Sequence, residues 1–181
     1  MMIRTIHIAI TCSLLLFVIA ACSKPSLNSA SESTATPAAS SSAPRITSES
    51  VVKAQAQAVE IPVGGSAQAI VRVTIQSGYH INANPPTYSY LKATALEIPS
   101  GEGVSVAFIT YPKALDKTFA FAEKPLAVYE GTTELKATLK ADKAAKTGER
   151  SLPAHLRIQA CDDQVCYQPG TLELAIPVKV K

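Results

Sequence analysis

The closing stretch Thr171-Leu172-Glu173-Leu174-Ala175-Ile176-Pro177-Val178-Lys179-Val180 puts an aliphatic side chain at every second position, with Glu173 and Lys179 between them. Successive side chains on a strand point to opposite faces, so the pattern predicts a β-strand with one face buried and one wet. Pro177 has no N–H to give to a ladder, which predicts an edge strand or a solvent-facing position there. Working back along the chain, similar runs occupy 52–59, 71–75, 91–98, 104–110, 126–129, 132–140 and 156–160. Turn signals separate them: Pro62-Val63-Gly64-Gly65, Asn84-Pro85-Pro86, Pro99-Ser100-Gly101, Glu130-Gly131 and Pro169-Gly170. Residues 141–147 are rich in Ala and Lys and read as a solvated turn rather than a helix. About seven to nine short strands with no long amphipathic helix predict an all-β, immunoglobulin-like antiparallel β-sandwich.

The sandwich is expected to occupy residues 50–181, because the sequence upstream has a different character. Residues 1–21 read as an export signal: Arg4 gives the positive start, an apolar run extends from Ile6, and Ala20 and Ala21 precede Cys22. That run falls short of the roughly 20 apolar residues that span a bilayer core. Ile19-Ala20-Ala21-Cys22 resembles a bacterial lipobox, which implies cleavage before Cys22, acylation of its sulfur and attachment to a membrane through a lipid anchor. Ser23 in the next position implies sorting to the outer membrane. Residues 22–49 are dominated by Ser, Ala, Thr and Pro, too little apolar surface to bury, and are expected to form a disordered tether reaching roughly 30 Å.

The composition narrows the function. Of 181 residues 47% are hydrophobic and 17% charged, which suits one globular domain with appendages. Lys and Arg number 17 against 14 Asp and Glu, with no basic run, which argues against a nucleic-acid partner held by phosphate contacts. Met1 and Met2 are the only methionines, so a thioether copper site is excluded. No catalytic serine elbow, zinc-protease helix motif or phosphate-binding glycine loop is present. His80 and His155 with two thiolates could in principle bind metal, but their spacing matches no common zinc pattern, and neither metal nor other cofactor is expected. Asn82 and Asn84, beside Pro85-Pro86, are expected to cap turns.

With the signal and Cys22 set aside, one pair of cysteines remains, in Cys161-Asp162-Asp163-Gln164-Val165-Cys166. Export allows a disulfide to form and persist. As a staple it would constrain little: closing a loop of about six residues gains only roughly 2 kcal/mol. A structural bond and a redox bond both stand at this point. Asp162 and Asp163 place negative charge beside the sulfurs and disfavour a thiolate, and no Lys, Arg or His is near in sequence to favour one. Such a pair would react quickly only with a docked partner.

Ala160-Cys161-Asp162-Asp163-Gln164-Val165-Cys166-Tyr167-Gln168-Pro169 resembles the active-site segment of the N-terminal periplasmic domain of the thiol:disulfide interchange protein DsbD. Gly78-Tyr79-His80-Ile81-Asn82-Ala83-Asn84-Pro85-Pro86, Tyr90-Leu91, Tyr111-Pro112 and Leu126-Ala127-Val128-Tyr129-Glu130-Gly131 resemble that family in the same order. The resemblance implies a thiol–disulfide interchange component that passes electrons between a membrane-embedded thiol carrier and thioredoxin-like periplasmic proteins. It implies that Cys166 forms the mixed disulfide and Cys161 closes the internal bond. It also implies a mobile loop with an aromatic cap. Here Thr118-Phe119-Ala120-Phe121-Ala122 takes that place, with Phe121 the candidate cap and Phe119 the alternative. Tyr167 is expected to line the site or pack beneath it. The chain is expected to act as a monomeric, stand-alone lipoprotein, whereas the usual parent continues into membrane helices. The other class of reading is a redox-inert binding or assembly lipoprotein with a structural disulfide.

Overall fold

The computed structural model describes residues 45–181. The expected signal peptide, Cys22 and the tether as far as residue 44 lie outside the described residues. Alternation resolves into twelve strands: β1 (Val52–Ala56), β2 (Val59–Ile61), β3 (Ser66–Ile75), β4 (His80–Asn82), β5 (Ala95–Glu97), β6 (Val104–Thr110), β7 (Leu115–Lys117), β8 (Leu126–Tyr129), β9 (Thr132–Ala141), β10 (Gly148–Ile158), β11 (Ala160–Cys161) and β12 (Gly170–Val180). No α-helix forms among the described residues. A single 3-10 turn, Glu49–Val51, precedes β1.

Three four-stranded sheets result, in the orders β1-β3-β9-β6, β2-β12-β10-β5 and β11-β4-β8-β7. All pairings are antiparallel except β2 with β12. The inward faces of β3 and β9 (Val71, Val73, Leu135, Ala137, Leu139) share one core with those of β10 and β12 (Leu152, Ala154, Leu156, Ile176, Val178, Val180). These are the two layers of the expected sandwich, each contributing alternate residues to a common interior. The third sheet closes one end. Its Ile81, Tyr129 and Ala160 join the main core, while Leu126 and Val128 form a second cluster with Phe119.

Local chemistry explains most departures from the sequence reading. The run at 52–59 breaks into β1 and β2 around Gln57, whose N–H turns back to the carbonyl of Ile70 (2.9 Å). Of 91–98 only Ala95–Glu97 is strand, because Asn82 and Asn84 hold the segment before it through side-chain bonds to the carbonyls of Lys92 and Thr94. The run at 156–160 is the end of the much longer β10, followed by a change of sheet at Gln159. Residues 142–147 form a turn, as expected, closed by Ala145 N–H on the Asp142 carbonyl (3.0 Å). Pro177 is exposed in β12, which is not an edge strand; the parallel β2 ladder begins at Val178, one residue later.

Packing also reaches back past Ser50, the expected start of the domain. Ser48 is fully buried, its hydroxyl donating to the Gln168 carbonyl (2.6 Å) and accepting from Ala160 N–H (3.0 Å). Glu49 accepts from Thr171 N–H (3.2 Å), and its carboxylate fills the space that a side chain at Gly170 would need.

Leu135→Ala, at a fully buried position in the middle of β9, is expected to cost about 2–5 kcal/mol in denaturant unfolding. Phe108→Ala, on the open face of β6, should change stability by no more than about 0.5 kcal/mol.

Candidate thiol–disulfide site

The site is built where the chain leaves one sheet for another. After β10 ends at Ile158, Gln159 breaks the ladder, and β11 pairs with β4 so that Cys161 lies directly opposite His80. Gln159 fixes this junction. Its side-chain oxygen accepts from Asn82 Nδ2 (3.0 Å) and Lys92 N–H (2.9 Å), its Nε2 donates to the Tyr167 carbonyl (3.2 Å), and its own carbonyl accepts from Asn82 N–H (3.2 Å).

From β11 the chain reverses in a tight hairpin. Tyr167 N–H returns to the Ala160 carbonyl (2.8 Å) and Asp162 N–H to the Val165 carbonyl (3.0 Å), which brings Cys166 across from Cys161. The two sulfurs are joined as a disulfide. Asp162 organises the turn: Oδ1 accepts the N–H groups of Gln164 and Val165 (both 2.8 Å), and Oδ2 accepts the Tyr167 hydroxyl (2.5 Å). Those bonds, the phenol's first, hold the Asp162 carboxyl below the usual carboxylate range. The same bond, with a smaller burial effect, pushes the Tyr167 phenol up to about 12. Asp162 is therefore a turn-former whose charge is engaged by donors. Asp163 is exposed at the hairpin tip. Tyr167 is half-buried against the main core and Tyr79 (ring centroids 6.1 Å apart).

The two cysteines differ in access. Cys161 has no exposed surface, whereas Cys166 is partly open. Beside Cys166 lies a mainly apolar groove formed by Tyr90, Leu91, Phe121, Ala122, Leu126, Gln164 and Val165. The 118–122 loop makes one wall. A turn closed by Ala122 N–H on the Phe119 carbonyl (3.1 Å) stacks the two phenylalanines, with centroids 5.3 Å apart. Their positions differ: Phe119 is buried and stacked on His80 (4.1 Å), and Phe121 is 42% exposed at the groove. Lys117 bonds Glu130 Oε1 (2.5 Å), and its ammonium lies 5.5 Å from the Phe119 ring centre, within cation–π range.

His80, weighed in the sequence only as a metal ligand, is buried to 1% exposure with Nε2 lacking a hydrogen-bond partner. Burial first, and then the Lys117 charge, hold it below the ordinary histidine range. The nearest histidine in sequence, His155, is six residues before Cys161, yet strand pairing brings His80 opposite that cysteine. His155 instead sits in mid-β10, in register with Glu97 and Glu173. No group of three or more His, Cys, Asp or Glu among the described residues could hold a metal ion. No local sequence pattern marks Tyr90, Leu91 and Val165 as wall residues, and the one signal for Gln159 is its place beside the Cys motif. Cys22 lies outside the described residues.

Gln159→Leu leaves the Lys92 N–H and the Tyr167 carbonyl without their partner, and a loss of about 1–3 kcal/mol in unfolding free energy is expected. Acid should loosen the hairpin by a separate route. A carboxyl with a lowered folded-state pKa contributes stability above its unfolded value, near 3.9, and loses it as pH falls through the folded value. The amides of Gln164 and Val165 should therefore lose protection from hydrogen exchange, measured relative to the β10 amides, below about pH 4. Asp162→Asn, which removes the titration, should abolish that acid dependence.

The family model described as thiol:disulfide interchange protein DsbD, N-terminal, matches residues 47–176. Among solved structures, the N-terminal periplasmic domain of ScsB from Proteus mirabilis aligns with a TM-score of 0.51 at 16% identity, over 70% of this chain and 46% of that one. The reduced N-terminal domain of DsbD from Neisseria meningitidis aligns with a TM-score of 0.44 at 18% identity, over 65% of this chain and 82% of that one. At such identities the ScsB alignment speaks to the fold alone. No curated protein matches the chain. Matched over 47–176, with its paired cysteines at the rim of a sandwich, the chain belongs to the family of DsbD N-terminal domains.

Proposed function

We propose that the domain is a thiol–disulfide exchange module working through Cys161 and Cys166, with Cys166 the sulfur that partners reach. Family membership supports the class of chemistry and a periplasmic setting. The observation that carries the assignment of roles is the difference in burial: Cys161 is closed to solvent and Cys166 opens onto an apolar groove. Exchange requires an incoming sulfur in line with the bond it breaks, so only Cys166 offers a point of attack, and Cys161 is the natural leaving group.

In the electron-donating direction, the Cys166 thiolate attacks a partner disulfide and forms a mixed disulfide, releasing one partner sulfur. Cys161 then attacks the Cys166 sulfur, and the second partner sulfur leaves. Two electrons pass to the partner, and the internal disulfide is restored. The reverse sequence reloads the module from a dithiol donor. The partners proposed are thioredoxin-like periplasmic proteins on one side and a membrane-embedded thiol carrier on the other. Phe121 is the proposed cap, since it flanks the groove and must move for a partner surface to seat; Phe119 anchors the loop from within. The proposed setting is periplasm-facing attachment through acylated Cys22, at the outer membrane. No helix among the described residues is long and apolar enough to cross a membrane.

Cys161→Ser, expressed in the native envelope, is expected to accumulate reductant-sensitive adducts with thioredoxin-fold proteins, and Cys166→Ser is expected to form none. Absence of adducts from both variants, with a reduction potential below about −300 mV for the wild-type bond, would instead identify a structural disulfide.

A further inference from the structure

Resolution of a mixed disulfide by Cys161 raises a problem that burial creates. The thiol must lose its proton to become nucleophilic, yet Cys161 has no exposed surface from which water could take it. A thiolate formed there without a partner is strongly disfavoured. The fold places one titratable side chain opposite it. In the antiparallel β11–β4 pair, Cys161 and His80 are direct cross-strand partners, so their side chains leave the same face with Cβ atoms about 5 Å apart. The His80 ring is itself buried, held flat by the Phe119 stack, and its Nε2 has no partner among the described residues. A buried polar nitrogen without a hydrogen bond is costly to keep.

We propose that His80 is the general base that takes the Cys161 proton during resolution and returns it when Cys161 is the leaving group. The inference rests on the exchange reading above. As the Cys161 S–H bond breaks, its proton passes to the imidazole and the sulfur's electron pair forms the bond to Cys166 Sγ. The bond from Cys166 to the partner sulfur breaks, and that sulfur departs as a thiolate with the electron pair. The resulting imidazolium then gives its proton to solvent or to the departing thiolate. In reverse, the imidazole takes the proton of an incoming thiol, the thiolate so formed attacks Cys166, Cys161 leaves with the electron pair, and the imidazolium protonates it. General bases of this kind work best when neutral and close to the proton they take.

The groups around His80 fit the role. Lys117, from β7, disfavours the imidazolium; Glu130, following β8, and Asp162 and Asp163, following β11, favour it. Burial and Lys117 together keep the imidazole neutral and ready to accept. The three carboxylates lessen the penalty once a proton has arrived. Lys117 is also tied to Glu130, which limits its opposition.

The test uses the reduced protein and an aromatic disulfide that releases a coloured thiolate at each step. The first release reports attack by Cys166, and the second reports resolution by Cys161. His80→Phe keeps a ring against Phe119 but cannot accept a proton. It is expected to leave the first phase unchanged and to slow the second about 100-fold at neutral pH. The second phase of the wild type should rise with pH through the titration of His80, below the ordinary value of about 6.5, and the variant should lack that rise. Equal second phases, or the same pH profile in both proteins, would overturn the proposal while leaving the exchange reading intact. Loss of the first phase from the wild type would count against the exchange reading itself. Should His80→Phe fail to fold, the imidazole NMR titration of the wild type decides. A lower His80 midpoint in reduced than in oxidised protein, the result of the neutral imidazole accepting the Cys161 S–H, supports the proposal, and an equal or higher midpoint overturns it.

Discussion

The site depends on the side chain of Gln159. At this residue the chain stops pairing with β12 and crosses to β4, and a change of sheet leaves backbone groups without their ladder partners. The Gln159 amide takes up two N–H donors on one side and a carbonyl on the other, with the neighbouring Asn82 closing the set. An unsatisfied buried polar group costs about 1–3 kcal/mol, so a crossover of this kind is tolerable only with such a substitute. Ser48 does the same from the far side, joining Ala160 to Gln168 around the base of the hairpin. The cysteines thus lie on a segment anchored at both ends.

That anchoring sets the chemistry of the two sulfurs. β11 runs inward, so Cys161 is buried in the third sheet. The return strand of the hairpin runs along the surface, so Cys166 is accessible. A six-residue hairpin with one sulfur shielded and one open gives direction to an exchange reaction without any difference in the intrinsic chemistry of the thiols. The apolar wall beside Cys166 comes from four separate stretches, the 83–94 loop, the 118–122 loop, β8 and the hairpin. Asn82 and Asn84 brace the first of these within itself, and Thr87 ties it to β8 by accepting the Ala127 N–H.

Electrostatics around the pair differ from what the sequence neighbours imply. The two adjacent carboxylates suggested a repulsive field at the sulfurs. One of them, Asp162, is committed to the turn and to the Tyr167 hydroxyl, so its charge is largely answered by donors. Of wider consequence is a histidine some eighty positions upstream. Its relation to Cys161 exists only because β4 and β11 pair in one register; a slip by one residue would turn its side chain to the other face.

The sequence by itself determined the long strands and the class of fold, because period-two alternation is a direct record of which face meets the core. It also marked Cys161 and Cys166 as the pair of interest, since a motif within ten residues needs no tertiary information. Long alternating runs such as 132–140 and 171–180 were legible for that reason. The three-residue strands at His80–Asn82 and Leu115–Lys117 were not, being too short to show a period. The tertiary structure alone decided which sulfur is shielded, which phenylalanine faces the groove, and that His80 stands against Cys161. Those are outcomes of pairing between segments far apart in the chain, and cross-strand register leaves no local pattern in either segment.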